Sequence, residues 1–285
     1  MNLQESMIFR ALATRQVFAI DRQRLFSAVV LAMAKQTNVA DAHPEDEDWF
    51  QKPFDAGNGV RVIPLSGMVS HGEPDWMRWA FDMVETEHVE TWMRNAVADQ
   101  KVKAIVFSIN SPGGYVTGTP EMGNTVAWAA TQKPMIAHTS TLACSAAYWA
   151  GCGANLFYAT ASATVGSVGV FTTHMDFTGM MEEMGIELEV FKSGANKAAG
   201  IGGTRLTAEQ KQMIQEHVDG IGAEFRAHVV AHRGAVNPAF IDGRAVSARE
   251  DRKAGGGLVD SIADLETAIR DAGKLAMRGQ SPERM

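Results

Sequence analysis

At 285 residues and 46% apolar content, the chain can bury a full hydrophobic core, as one large domain or one domain with appendages. The balance of 33 acidic against 26 basic side chains, net charge −7, excludes the basic footprint of a nucleic-acid-binding protein. No segment approaches the roughly 18 consecutive apolar residues of a transmembrane helix, so no stable membrane anchor is expected.

Residues 1–40 read as helical. Within them Leu25–Ala34 (LFSAVVLAMA) follows Arg22 and Arg24 and has the apolar character of a signal-peptide core, but it begins late, Glu5 and Asp21 precede it, and no small-residue cleavage signal follows. It is expected to dock as an amphipathic helix. Residues 41–59, with Pro44, Pro53 and the acidic run Glu45–Asp48, read as a linker, giving a helical extension and linker over 1–59. From Val60 onward short apolar strands alternate with helices, an α/β pattern. Strands are predicted near 60–66, 102–109, 134–138, 155–158, 168–172 and 187–191. Helices are predicted near 85–98, 118–131, 145–152, 174–184, 207–233 and 260–272, with a tail from 273. Little chain follows the last of these helices, so no long scaffold extension is expected.

Four segments carry chemistry. Thr141–Gly151 (TLACSAAYWAG) sets Ser145 among small residues between a predicted turn, 139–144, and the start of an Ala-rich helix, where backbone N–H groups such as that of Ala146 lack intrahelical partners. Before it, the loop Ser111-Pro112-Gly113-Gly114 follows an apolar strand and tolerates close backbone approach, so its glycines could donate N–H groups to an oxyanion. After it come Ser167 in ATVGSVGV and Lys197 in KSGANK. A serine hydroxyl needs a base, and a lysine serves only when its amine is neutral. Burial achieves this: moving the amine from about 10.4 to roughly 8 disfavours the ammonium by about 3 kcal/mol. The alternation of Gly185–Phe191 (GIELEVF) predicts a half-buried strand that delivers Lys197 to the interior, where Ser167 can orient the amine.

Each piece alone has a plainer default: a helix-start serine, a Gly-Gly turn, a turn serine and a surface lysine, as Lys192 is expected to be. Their order decides otherwise. INSPGG, ACSAAYW, VGSVGV and KSGANK, in that sequence, resemble the signal peptide peptidase A (protease IV) family of Ser-Lys peptidases, and more closely its phage and prophage head-maturation branch, in which CSAA stands at the nucleophile. The resemblance covers roughly 60–272, the expected peptidase domain. It implies a ClpP/crotonase-like spiral of β-β-α units, with Ser145 as nucleophile, Lys197 as general base, Ser167 holding the lysine, and Gly114 and Ala146 as oxyanion donors beside Gly113. Gly243–Asp260 (GRAVSAREDRKAGGGLVD) resembles the family's closing strand and short helix ending in Gly-Leu-Val-Asp.

The implied function is a serine endopeptidase acting on scaffold, portal or capsid proteins, in the host cytoplasm or procapsid interior. The alternative is a cytoplasmic peptidase for signal peptides or other short peptides. A crotonase-type acyl-CoA enzyme and a silent assembly module are weaker readings, because the first uses acidic residues for proton transfer and the second needs no dyad. No cofactor is implied, and the eight histidines show no metal-ligand spacing. His138, His174 and His217 are expected in structural or exposed positions, and His71 in a substrate-side loop. Cys144 and Cys152 lie about 12 Å apart along the predicted helix, too far for a disulfide, and read as buried thiols, with Cys144 left open as an alternative nucleophile. Small residues Ala143, Ala146 and Ala147 suggest a tight pocket for a small or aliphatic side chain. Self-association is expected through the helix at 207–233 or the N-terminal helix. If the N-terminal residues dock across the cleft, self-cleavage could release activity.

Overall fold

Alternating burial sets the architecture. The computed structural model describes residues 18–20 and 51–278. Successive strand residues point to opposite faces. Val60, Val62, Ala104, Val106 and Ile136 therefore face one way, onto Ala268 and Ala272 of a C-terminal helix, while Ile63, Leu65, Ile105, Phe107, Ile109, Met135 and Ala137 face the main core. Each of the Val, Ile, Leu, Phe and Met side chains among these, fully buried, contributes about 1.5–3 kcal/mol.

In chain order the elements are β1 (Phe18–Ile20), β2 (Phe54–Asp55), β3 (Val60–Ser66), β4 (Met68–Ser70), α1 (Asp75–Ala80), β5 (Met83–Glu85), α2 (Thr86–Ala98), β6 (Ala104–Ser111), β7 (Gly113–Tyr115), α3 (Thr119–Gln132), β8 (Met135–Cys144), α4 (Ala146–Gly151), β9 (Leu156–Ala159), β10 (Thr164–Gly166), α5 (Thr178–Glu183), α6 (Ala208–Arg233), a 3₁₀ turn (Pro238–Phe240), β11 (Ala245–Ser247), α7 (Ala248–Ala254), β12 (Ser261–Ile262) and α8 (Leu265–Arg278). The large sheet runs β11-β10-β8-β6-β3-β2, with β9 beside the first half of β8 and β12 beside β9; the small sheet runs β1-β7-β4-β5. β3 and β6 are parallel neighbours in the large sheet, and the strands that follow them, β4 and β7, are parallel neighbours in the small one. This repeat of strand, strand and helix across two sheets is the expected ClpP/crotonase-like spiral.

The sequence expectations differ from the structure at defined places. The expected N-terminal helix lies outside the described residues except at 18–20, which form a strand. The turn expected at 139–144 is the second half of β8. Its register with β6 shifts between Ile109 and Ser111, so Ser140 and Thr141, both exposed, bulge out of the pairing. Thr141 Oγ1 donates to Asn110 Oδ1 (2.6 Å), and Thr160 Oγ1 donates to the Ser140 carbonyl (2.9 Å). The strands expected at 168–172 and 187–191 do not form as elements, and the last helix starts at Leu265 and runs past 272 to Arg278.

The closing segment is locked under α4. The Asp251 carboxylate accepts the N–H groups of Leu258 (3.1 Å) and Val259 (3.0 Å), and Tyr148 Oη donates to the Leu258 carbonyl (2.8 Å). Arg233, at the end of α6 with its side chain 1% exposed, pairs with Asp260 at 2.6 Å, while the other Asp260 oxygen accepts the Phe157 N–H at 2.7 Å. Thr207 and Gln210 form a reciprocal capping box at the start of α6, and Trp149 of α4 stacks on Phe225 of α6 with ring centroids 4.3 Å apart. Both cysteines are buried thiols outside any disulfide, as expected of them.

Two predictions follow from these contacts. Replacing Asp260 with Ala leaves the buried Arg233 guanidinium unpaired, and urea titration should register a loss of about 3–5 kcal/mol. Burial pushes His138 below its ordinary range, and burial reinforced by His232 pushes His228 down to about 4. Both histidines stay neutral in the folded chain while the unfolded chain takes up protons, so stability should fall as pH drops from about 6.5 toward 4. His228→Gln should flatten that fall in a series of pH-dependent melts.

Candidate active site

Three parallel strands end at one edge of the large sheet. β8 is flanked by β6 on one side and by β10 on the other, with Ala143 opposite Ser111 and Cys144 opposite Gly166. Carrying each register onward sets Gly113, two residues after Ser111, and Ser167, directly after Gly166, at the level of Ser145, the residue after Cys144. Parallel strands lie about 4.8 Å apart, so the serine is bracketed by the glycine loop and by the second serine. The structure thus brings four of the expected groups together: Ser145, Ala146, the Gly113-Gly114 pair and Ser167.

Ser145 links strand to helix without a spacer. It has φ 55° and ψ −123°, a conformation that L-residues rarely adopt, and helix α4 starts at Ala146. Its N–H donates to the Gly166 carbonyl at 2.8 Å, its carbonyl accepts the Trp149 N–H at 2.8 Å, and its Oγ donates to the Gly169 carbonyl at 3.3 Å. The residue is 1% exposed. Ser167 also has positive φ, 52°, with its N–H held by the Arg244 carbonyl at 2.7 Å. Strain of this kind costs about 1–3 kcal/mol per residue and persists only where the surroundings fix it.

The glycine loop is fixed from below. Ser111 Oγ accepts the Gly113 N–H at 3.2 Å, which engages that donor within the loop. Gly114 sits opposite Val69 of β4, and a Cβ there would overlap the Val69 carbonyl, so no other residue fits. The next loop is braced by Glu85, a residue the sequence reading missed. Its buried carboxylate accepts Ser70 Oγ (2.6 Å), the Gly72 N–H (2.7 Å) and the Glu73 N–H (3.3 Å), and beside it His71 Nδ1 bonds Thr86 Oγ1 at 2.7 Å. A Glu ending an apolar three-residue strand, MVE, was the available signal.

Lys197 is not buried. The segment 185–197 is exposed throughout, with Lys197 itself exposed, so the interior placement expected for it is corrected. Among the described residues the alternation of GIELEVF finds no neighbouring strand to pair with, and Ile186, Leu188, Val190 and Phe191 remain exposed. Among the described residues no hydrogen bond joins Lys197 to Ser145 or Ser167. Ala143, Ala146 and Ala147 are fully buried in the core and cannot wall a pocket, which corrects that expectation too. The open space lies beyond Ser167 instead. A cavity of about 440 Å³ is lined by Ser167–Phe171, α6 and Asp242–Ala245; it meets a second, of about 730 Å³, at Val170, Phe171 and Val218, with Phe177, Leu206 and Ile214 adding apolar surface. Cys144 is fully buried, its thiol directed to the Thr164 carbonyl. His138 is buried and bonds the Ala263 carbonyl, and His217 is exposed. Among the described residues no three His, Cys, Asp or Glu side chains converge as metal ligands.

The model of peptidase family S49 matches residues 127–278. The chain is 27% identical over 212 residues to the head-tail preconnector protein GP5 of Enterobacteria phage P21, covering 74% of this chain and 42% of that protein. It is 25% identical over 224 residues to the capsid assembly protease C of Escherichia phage lambda, covering 78% and 51%, and 31% identical over 229 residues to Protease 4 of Salmonella typhi, covering 79% and 36%. The chain therefore spans about half or less of the length of these relatives. Among solved structures, an enoyl-CoA hydratase from Shewanella pealeana ATCC 700345 aligns with TM-score 0.44 at 11% identity over 85% of this chain and 78% of that one.

The strain at Ser145 is directly testable. Ser145→Gly and Ser145→Ala both lack the hydroxyl, but only glycine relaxes at φ 55°. The glycine variant should be the more stable by about 1 kcal/mol in thermal or urea unfolding.

Proposed function

Because the chain belongs to peptidase family S49, we propose that it is a serine endopeptidase with Ser145 as nucleophile. The observation that carries this reading is the passage from β8 through a strained, buried serine directly into α4. A nucleophile at such a turn is held at one point in space by strand, helix and neighbouring strand together. In the proposed first step Ser145 Oγ attacks the scissile carbonyl as its proton passes to neutral Lys197. The amide N–H groups of Gly114 and Ala146 stabilise the oxyanion, and Ser167 orients the lysine amine. Collapse releases the amine product bearing the transferred proton. Water then cleaves the acyl ester and regenerates the serine.

Lys197 must lose solvent to act as this base. Its segment presents Ile186, Leu188 and Val190 on alternate positions, exposed by 46%, 43% and 37%, and Phe191 is 92% exposed. Covering of this segment by a second copy of the chain would bury apolar surface and desolvate the amine in one event, so a homo-oligomer is the proposed active form. The substrate is proposed to be a polypeptide. The similarity to a phage capsid assembly protease and a phage preconnector protein favours scaffold, portal or capsid proteins, with the host cytoplasm or procapsid interior as the site of action. The similarity to Protease 4 supports the second reading, a peptidase for signal peptides or other short peptides. Among the described residues no helix is long and apolar enough to cross a membrane. The apolar trough beyond Ser167 is the proposed binding region for substrate side chains.

A fluorophosphonate should label the assembled chain at Ser145, located by peptide mass spectrometry. Labelling should vanish in Ser145→Ala, fall by about a hundredfold or more in Lys197→Ala, and rise with pH in the wild type. Equal labelling of wild type and Lys197→Ala at every pH would remove the lysine from the mechanism.

A further inference from the structure

The strand that carries Gly114 has two edges, and both are taken. On one side β7 pairs in parallel with β4 through Val69. On the other it pairs antiparallel with β1, with Phe18 opposite Tyr115, Ala19 opposite Gly114 and Ile20 opposite Gly113. β1 is thus a strand brought from far away in sequence onto the loop that emerges beside Ser145. Its backbone occupies the edge on which an extended polypeptide would add itself to the small sheet, the most economical way for a protein to hold a peptide main chain irrespective of its sequence. Ser145 is 1% exposed in the same state, closed to an incoming carbonyl.

From these two observations we infer that the chain's own residues 18–20 hold the outer edge of β7 in the resting protein as a competitive occupant, in the place where an extended polypeptide would otherwise pair. The consequence for activity rests on the reading of Ser145 as nucleophile; the docking itself does not. Backbone pairing explains why so short a segment suffices. Tethering supplies it at an effective concentration near the millimolar range, so even weak three-residue pairing keeps the edge filled until a substrate strand displaces it. The same edge is exposed to no other strand in the small sheet, whose order ends at β1. Release of β1 would present the backbone of Gly113–Tyr115 beside the nucleophile.

The test uses the full chain in two variants, Ala19→Pro and the double variant Phe18→Pro/Ile20→Pro. N–H groups along an antiparallel strand face the neighbour alternately, so one of the two variants removes the donors that hold β1. Hydrogen–deuterium exchange at Gly113–Tyr115 and the rate of fluorophosphonate labelling at Ser145 are then read side by side. The expected result is faster exchange at 113–115 in at least one variant, with labelling about tenfold faster if β1 holds the edge in roughly nine chains of ten. The free peptide RQVFAIDRQR, residues 15–24, should reverse both changes. Exchange and labelling at wild-type values in both variants would overturn the inference, and faster exchange with labelling at the wild-type rate would overturn the competition. Faster exchange with no labelling in any form would uphold the docked strand and remove the nucleophile assignment instead.

Discussion

The parallel register of β6, β8 and β10 is the constraint on which the rest of the site depends. Three strands running the same way end at the same edge, so the loops that leave them meet there without any further instruction. Ser111 opposite Ala143 and Gly166 opposite Cys144 fix the offset to the residue. A slip of one position in either pairing would turn the side chains of β8 to the wrong face and carry Ser145 away from the glycine loop. The apolar alternation of Ile105, Phe107, Met135 and Ala137 into one core, with Val106 and Ile136 into the other, is what prevents the slip. Packing thus determines the geometry of the candidate site, where the Ser145 N–H is held by Gly166 at the end of β10 and the Ser167 N–H by Arg244 just before β11.

The second supporting structure is the polar lock at the closing segment. Asp251, Asp260, Arg233 and Tyr148 tie the end of α6 and the Gly-Leu-Val-Asp run to the underside of α4. Burial raises the Asp251 carboxyl while two backbone N–H groups oppose that rise. α4 is only six residues long, and it owes its position to this lock and to the Trp149–Phe225 stack rather than to intrinsic helix strength.

Much of this was readable from the residues. β3 and the apolar part of β6 are near-continuous apolar runs, and the helices 86–98, 119–132 and 208–233 stand within a residue or two of their expected ends. Gly113, Gly114, Ser145 and Ser167 were identified by their order in the chain, and the structure brings them to one place. Three things were not readable, each for a physical reason. The run Thr139-Ser140-Thr141 has turn composition, yet it continues β8 because a bulge lets two exposed residues leave the pairing while the ladder resumes at Ala143. β4 and β7 are three residues each and carry no strand signature; Gly-Gly-Tyr is a strand because Val69 of β4 and residues 18–20 of β1 lie alongside. GIELEVF has an ideal period-two pattern and pairs with no strand among the described residues, since periodicity states which face a strand would bury and not whether a neighbour exists to bury it. That is also why Lys197 was expected in the interior and is found in solvent.

The central claim is that Ser145 forms an acyl-enzyme, and pre-steady-state kinetics test it most directly. The assembled full chain would be mixed with a nitrophenyl ester of a short peptide and the release of nitrophenol followed from the first milliseconds. The account predicts a burst close to one equivalent per active site followed by a slower steady rate, with the burst lost in Ser145→Ala. A linear time course at saturating ester, or a burst that survives in Ser145→Ala, would contradict it.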